Sequence, residues 1–299
     1  MTLIAAAHTV SVPPDQDVAR LVVACRDRHG IVAAISSLLA ELGANIISLE
    51  QHSTDPENGM FFLRLEFHLV GFAAERERIE ARVAAVAEPF EMDWRIALAS
   101  ERKRALVFVS RLDHCLYDLL WRWQRGELKM DVAGVVSNYP DHERTAASFG
   151  VEYHHVPVTR ETRAQAEREV LDRFAGAVDL GILARYMQVL SPEFLAEFGA
   201  PIINIHHSFL PAFVGGNPYA RAYERGVKLI GATAHYATAD LDEGPIIEQG
   251  VERVSHVHDV ASLARVGGDI ERVVLARAVR WHLEDRVLVH GKRAIVFAG

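Results

Sequence analysis

Ile202-Ile203-Asn204-Ile205-His206-His207-Ser208-Phe209-Leu210-Pro211 reads as a strand that runs into a loop. A period of two sends Ile203 and Ile205 to one face and Asn204 and His206 to the other. The alternation stops at His207, Ser208 and Pro211, and Gly215-Gly216-Asn217-Pro218 punctuates a loop. A buried strand thus brings a carboxamide and an imidazole to its carboxyl end, where open α/β sheets bind ligands. An amide N–H beside a titratable ring suits an oxyanion on a carbonyl carbon. The plainer alternative is a strand end whose polar residues cap a loop, and the stretch by itself leaves both open.

Around this strand the chain alternates strand and helix. Before it come an apolar strand at Leu106–Ser110, a helix over 113–125, a strand at Val132–Ser137 and a short strand near Tyr153–Val156. A helix over 161–174, a strand at Val178–Leu183 and a short helix at Pro192–Phe198 lead up to it. After the loop, Lys228–His235 and Ile246–Val254 read as strands, and 260–285 as a long helix kinked or broken at Gly267-Gly268. A closing hairpin pairs Val287–Val289 with Ala294–Phe297. The pattern predicts an α/β domain over residues 104–299, an open and mostly parallel sheet with the Pro201–Ile205 strand at its centre.

The N-terminal part has a different rhythm. Strands at Leu21–Cys25, Asn45–Leu49, Met60–Val70 and Met92–Leu98 and helices at 31–42 and 73–87 give the order βαββαβ over residues 17–99. Ser100-Glu101-Arg102-Lys103-Arg104 is a polar linker.

At 299 residues the chain has room for two domains, and half of it is hydrophobic, which excludes a disordered chain. The net charge is −8 with no basic cluster, so nucleic acid is not expected as a partner. No apolar run reaches the ~20 residues of a membrane span, and residues 1–12 lack the layout of a signal peptide. Cys25 and Cys115 form neither a disulfide framework nor a metal knuckle, and a reducing, cytoplasmic location is expected.

The runs Val22–Val32, Gly43-Ala44-Asn45-Ile46 and Gly59–Arg64 resemble the ACT domain, a ferredoxin-like regulatory module that often binds amino acids at a subunit interface. The resemblance implies an effector site at Asp27, Gly30 and Asn45, with glycine or methionine as candidates, and a homo-oligomer, dimer or tetramer. The residues agree: Gly30 opens a helix whose free N–H groups can take a carboxylate, and Asn45 adds a polar contact.

Three segments then combine: Asn204-Ile205-His206, Leu210-Pro211-Ala212-Phe213, and Leu241-Asp242-Glu243-Gly244-Pro245-Ile246-Ile247. Together they resemble the catalytic domain of 10-formyltetrahydrofolate enzymes, with a Rossmann-like sheet of the formyltransferase type. The resemblance implies that Asn204, His206 and Asp242 surround a formyl carbon. Asn204 can donate to an oxyanion, and His206 can add a charge-assisted bond when protonated. Asp242 can take a proton or hold His206 in its charged form.

The turn after the first strand of this domain, Ser110-Arg111-Leu112-Asp113-His114-Cys115-Leu116, has no glycine and carries an aspartate. The related transformylases cradle a phosphorylated acceptor on a glycine-rich loop there. A phosphate would meet negative charge here, so water is the expected nucleophile. That turn, Leu183-Ala184-Arg185-Tyr186-Met187 and Gly231-Ala232-Thr233-Ala234-His235-Tyr236 resemble the formyltetrahydrofolate deformylase family over nearly the whole chain. The family implies hydrolysis of 10-formyltetrahydrofolate to tetrahydrofolate and formate, which balances one-carbon folates and supplies formate for purine synthesis. Arg185, Tyr186, Met187, Ser208, Gly215 and His114 are the implied substrate contacts. No cofactor is expected, nor a metal, because neither His154-His155 nor His206-His207 has a third ligand at metal-like spacing. His207 stands where the transferases have proline, and the sequence leaves its role open.

Overall fold

The computed structural model describes residues 15–55, 57–211 and 218–298. The chain divides between Glu101 and Arg102 into two compact units.

In the first unit β1 (Val18–Arg26) leads to α1 (Ile31–Glu41), then β2 (Asn45–Ser53), β3 (Met60–His68), α2 (Phe72–Ala87) and β4 (Asp93–Leu98). This is the βαββαβ order expected from the sequence. The strands form an antiparallel sheet in the order β2-β3-β1-β4. Alternate residues Leu21, Val23, Leu63, Leu65 and Phe67 bury one sheet face, and the apolar stripes of both helices, Ile35 and Leu39 on α1 and Ile79 and Val83 on α2, join the same core. Gly30 enters α1 at φ 92° and opens that helix, a conformation that a side chain would strain.

The second unit runs β5 (Lys103–Val109), α3 (His114–Gln124), β6 (Met130–Ser137), α4 (Glu143–Ser148), β7 (Tyr153–His155), α5 (Arg163–Phe174), β8 (Leu180–Ala184), α6 (Pro192–Phe198) and β9 (Ile202–His206). It continues with α7 (Pro218–Glu224), β10 (Leu229–Tyr236), β11 (Ile246–Arg253), α8 (Val260–Leu283) and the hairpin β12 (Val287–His290) and β13 (Arg293–Val296). The seven-stranded sheet has the order β11-β10-β9-β8-β5-β6-β7. β9, β8, β5, β6 and β7 are parallel, and β10 and β11 are antiparallel additions.

The sheet is covered on both faces, which explains the unbroken apolar run of β5. Val107, Ile182, Ile203 and Ile205 belong to a core with α3 and α8, while Leu106, Phe108, Leu183 and Ile202 belong to one with α5 and α6. The period-two reading of β9 therefore holds. β5 pairs with β6 on one side and β8 on the other, so the order reverses there and opens a crevice at the carboxyl ends.

Three expectations change. β9 lies one place off centre, because three parallel strands flank β8 on one side and β10 and β11 add only two beyond β9 on the other. The segment read as loop up to Lys228 contains α7, whose Ala222 packs with Ile230 and Leu263. Seven residues opening on proline carry too little periodicity to predict. Finally, α8 is one unbroken helix through Gly267-Gly268. Gly267 serves close approach: a Cβ there would stand 1.9 Å from the Tyr219 hydroxyl.

Candidate active site

A cleft of about 270 Å³ opens at the carboxyl ends of β8 and β9 and at the turn that joins β10 to β11. Asn204, His206, His207, His235, Asp242 and Arg185 supply its polar lining. Leu183, Tyr186, Met187, Leu190, Leu195 and Leu241 supply its apolar walls. Burial pushes the Tyr186 hydroxyl up to about 12, and its ring packs against Phe108 at 5.5 Å, so the residue offers a neutral aromatic wall.

The polar groups interlock. Asn204 stands opposite His235 in the antiparallel register of β9 and β10. Its Nδ2 donates to His235 Nε2 at 3.2 Å, and His235 Nδ1 donates to the Tyr236 carbonyl at 3.0 Å. That pattern assigns the proton of a neutral His235 to Nδ1. His206 Nδ1 lies 3.2 Å from Asp242 Oδ2, and His235 Nε2 lies 3.7 Å from Asp242 Oδ1. The buried Nε2 of His206 has no hydrogen-bond partner among the described residues. The bond from His206 holds the Asp242 carboxyl well below the usual carboxylate range, against the opposing effect of burial.

Backbone geometry fixes these groups. Asp242 sits at φ 59° and Arg185 at φ 64°, left-handed conformations uncommon outside glycine. Gly244 closes the Asp242 turn, and a Cβ there would fall 1.7 Å from the Tyr236 carbonyl oxygen. Behind β9, Thr233 Oγ1 donates to the Ser208 carbonyl at 2.9 Å and accepts from the Leu210 N–H at 3.0 Å. Gln249 Nε2 donates to the Leu210 carbonyl at 2.9 Å. These bonds set the path by which the chain leaves β9.

A second cleft, of about 960 Å³, is lined from α3 and α8, and Arg185 lines both clefts. At its floor is Glu271, 1 % exposed. His114 Nε2 lies 2.7 Å from Glu271 Oε2, Tyr219 Oη donates to Oε1 at 2.6 Å, and Arg185 Nε lies 3.3 Å from Oε2. Burial alone would raise the Glu271 carboxyl, but His114, Arg185 and Tyr219 together bring it below its ordinary value. His114, Cys115 and Glu271 place potential ligand atoms within 4.8 Å of one another. They suit a metal poorly: burial pushes the Cys115 thiol well up, away from the thiolate a metal needs, and the Glu271 oxygens already have partners.

The cleft gathers Asn204, His206, Asp242, Arg185, Tyr186 and Met187 as the sequence reading grouped them. His114 is elsewhere: it lines the second cleft and contacts Glu271, because it begins α3 rather than extending β5. Ser208 is buried and does not line the first cleft, its carbonyl engaged by Thr233. Gly215 lies outside the described residues. His207, whose role the sequence left open, lines the cleft with its ring 5.2 Å from that of His206 and 6.3 Å from that of Tyr219. Burial, and then the charge of Arg185, lowers it to about 4, so it is neutral near pH 7. In the first unit, Asp27 accepts from the Ser53 hydroxyl, Gly30 opens α1, and Asn45 begins the edge strand β2.

Sequence reasoning missed Glu271 and gave His235 only a passing place. Both left a signal. Glu271 falls on the buried stripe of α8 with Leu263, Gly267, Val274, Ala278 and Trp281, where a carboxylate needs partners. His235 alternates with Thr233 on β10.

The chain matches the formyl transferase family over residues 103–279 and the ACT domain family over 19–88. It is 56 % identical to a formyltetrahydrofolate deformylase of Mycobacterium bovis over 94 % of this chain and 91 % of that protein. It is 51 % identical to one of Bacillus subtilis over 95 % of each. The crystal structure of a formyltetrahydrofolate deformylase from Burkholderia mallei superposes with a TM-score of 0.87 at 46 % identity, covering 94 % of this chain and 99 % of that one.

Proposed function

We infer the division of labour in the site from one premise: the chain belongs to the formyltetrahydrofolate deformylase family and hydrolyses 10-formyltetrahydrofolate to tetrahydrofolate and formate. The observation that carries the assignment of residues is the His206–Asp242 contact at 3.2 Å beside Asn204, with His206 Nε2 left without a partner among the described residues.

The folate's flat ring system lies against Leu183, Tyr186, Met187 and Leu190, which brings the formyl group to the polar end of the cleft. Water attacks the formyl carbon, and the carbonyl oxygen becomes an oxyanion. Asn204 Nδ2–H and protonated His206 Nε2–H stabilise that charge as it develops. Asp242, ionised at working pH, accepts the Nδ1–H of His206 and so orients the ring with Nε2 toward the formyl oxygen. The attacking oxygen turns strongly acidic as its bond to carbon forms, so even this weakly basic carboxylate can accept its proton and pass it to N10. The C–N10 bond then breaks. The products are the N10–H folate, formate and one released proton. His235 fixes Asn204 and Asp242 and acts as a positioning residue.

Water as the nucleophile is supported by Asp113, which lines the second cleft where a phosphorylated acceptor would need positive charge or free N–H groups. We assign residues 104–299 to catalysis without a cofactor and 17–99 to regulation by an amino acid at Asp27, Gly30 and Asn45, in a cytoplasmic homo-oligomer. Ile46, Ile47 and Leu49, exposed on edge strand β2, support contact between copies.

The test is formate release by the purified full chain given 10-formyltetrahydrofolate and no amine. Formate and tetrahydrofolate appearing in equal amounts supports the hydrolase. A formyl group that leaves only when an amine is added favours a transferase. Titrating glycine and methionine into the same assay tests the effector, and an unchanged rate removes both candidates.

A further inference from the structure

We propose that the second cleft is the exit for formate and the entry for water, with Arg185 as its anion-binding residue. The proposal rests on the hydrolytic reading above, since it concerns the product of that reaction. Hydrolysis leaves two products of unlike size in one place. The folate fills the first cleft along its apolar wall, and formate is made at the polar end beyond it. With the folate still bound, the open side of that cleft is blocked to formate.

Arg185 lines both clefts and so stands at their border. It is 8 % exposed, and its Nη1 has no hydrogen-bond partner among the described residues. Glu271 forms an ion pair on the Nε side of the guanidinium, at 3.3 Å, and leaves Nη1 for another acceptor. A left-handed backbone at φ 64° holds the side chain there. A buried cation with free donors at the end of a reaction channel suits a small carboxylate, because the guanidinium fork matches two carboxylate oxygens. Glu271 limits that attraction by compensating most of the charge of Arg185, so the anion can be captured and still leave. Of the acidic groups on the cleft walls, Asp118 and Asp269 are each paired, with Arg122 at 2.7 Å and Arg272 at 2.9 Å, and Asp113, which disfavours a doubly charged phosphate, shares the wall with Arg265 and bears on a singly charged formate only weakly.

Gly268 offers a way to close the second cleft without touching the first. It lines the second cleft only, on α8, and a Cβ there would meet just the His114 ring at 3.6 Å. Replacing a helical glycine also favours folding, so loss of the fold is not the expected outcome.

The experiment measures steady-state release of tetrahydrofolate, with added sodium formate as inhibitor, for the wild type, Gly268→Leu and Glu271→Gln. Formate leaving first through its own route inhibits noncompetitively against 10-formyltetrahydrofolate. Gly268→Leu is expected to lower kcat about tenfold with the folate KM falling alongside it, so that kcat/KM is unchanged. Glu271→Gln uncovers the charge of Arg185 and is expected to tighten formate inhibition about tenfold, the scale of one charge-assisted hydrogen bond. A merely structural Glu271 would weaken all binding and could not tighten it. Wild-type turnover with formate strictly competitive, or with kcat of Gly268→Leu and the formate inhibition constant of Glu271→Gln both unchanged, overturns the proposal while leaving the hydrolase intact. A wild type that releases no formate overturns the hydrolase itself.

Discussion

Asp242, half-buried, and Glu271, fully buried, are two carboxylates at the carboxyl end of one sheet, and they are used in opposite ways. Asp242 sits on a turn, contacts two imidazoles, and leaves one of them, His206, with a nitrogen uncommitted among the described residues. Glu271 sits inside a helix and meets an imidazole, a phenol and a guanidinium, its oxygens taken up by them. Both carboxyls lie below their ordinary values, so ionisation alone does not separate them. What separates them is the chemistry of the partner that still has a donor: beside Asp242 it is an imidazole, which can move a proton, and beside Glu271 a guanidinium, which can only bind an anion.

The largest expected effect breaks the Asp242 side of this comparison. Asp242→Asn removes the carboxylate that orients His206 and the proton acceptor with it. kcat should fall by about 10²–10⁴-fold, read as formate release. Asn204→Ala removes one oxyanion donor, with an expected loss of about 10²–10³-fold in kcat and a smaller change in KM. A loss confined to KM would place Asn204 in ground-state binding instead.

Gly267→Ala sharpens the Glu271 side. Its Cβ would displace Tyr219 and remove the hydroxyl from Glu271 Oε1. The expected cost is about 1–3 kcal/mol of stability, as for other overpacked sites, measured by denaturant unfolding. A glycine kept only as a hinge would show a gain of about 1 kcal/mol on the same substitution.

The smallest effects are pH slopes. Asp242 has a depressed carboxyl in the fold, so its stabilisation is present above the unfolded value near 3.8 and is lost as pH falls through the lower folded value. Asp242 should therefore contribute no acid limb to activity above pH 4, read from the pH profile of kcat. His207 is lowered from 6.5 to about 4, so the unfolded chain binds more protons across that window. Stability should fall as pH drops from 6.5 toward 4, and His207→Asn should flatten that slope in equilibrium unfolding.

Much of this was legible in the chain because the signals were local. The alternation in Ile202–His206 tells which face Asn204 and His206 share. The βαββαβ rhythm of the first unit is carried by strand and helix periods within single segments. What stayed hidden depends on contacts distant in sequence. His114 meets Glu271 across 157 positions, and Gly267 makes room for Tyr219 from another helix. A Gly-Gly pair reads as a break when its neighbour is unknown, and α7 is too short to announce itself.

The most direct measurement is a single-turnover reaction of the full chain with 10-formyltetrahydrofolate in the absence of any amine, run beside Asp242→Asn. The expected result is one formate and one tetrahydrofolate per active site for the wild type, with the variant slower by at least about 10²-fold. Formyl transfer that waits for an amine, or a variant as fast as the wild type, would contradict hydrolysis by Asn204, His206 and Asp242.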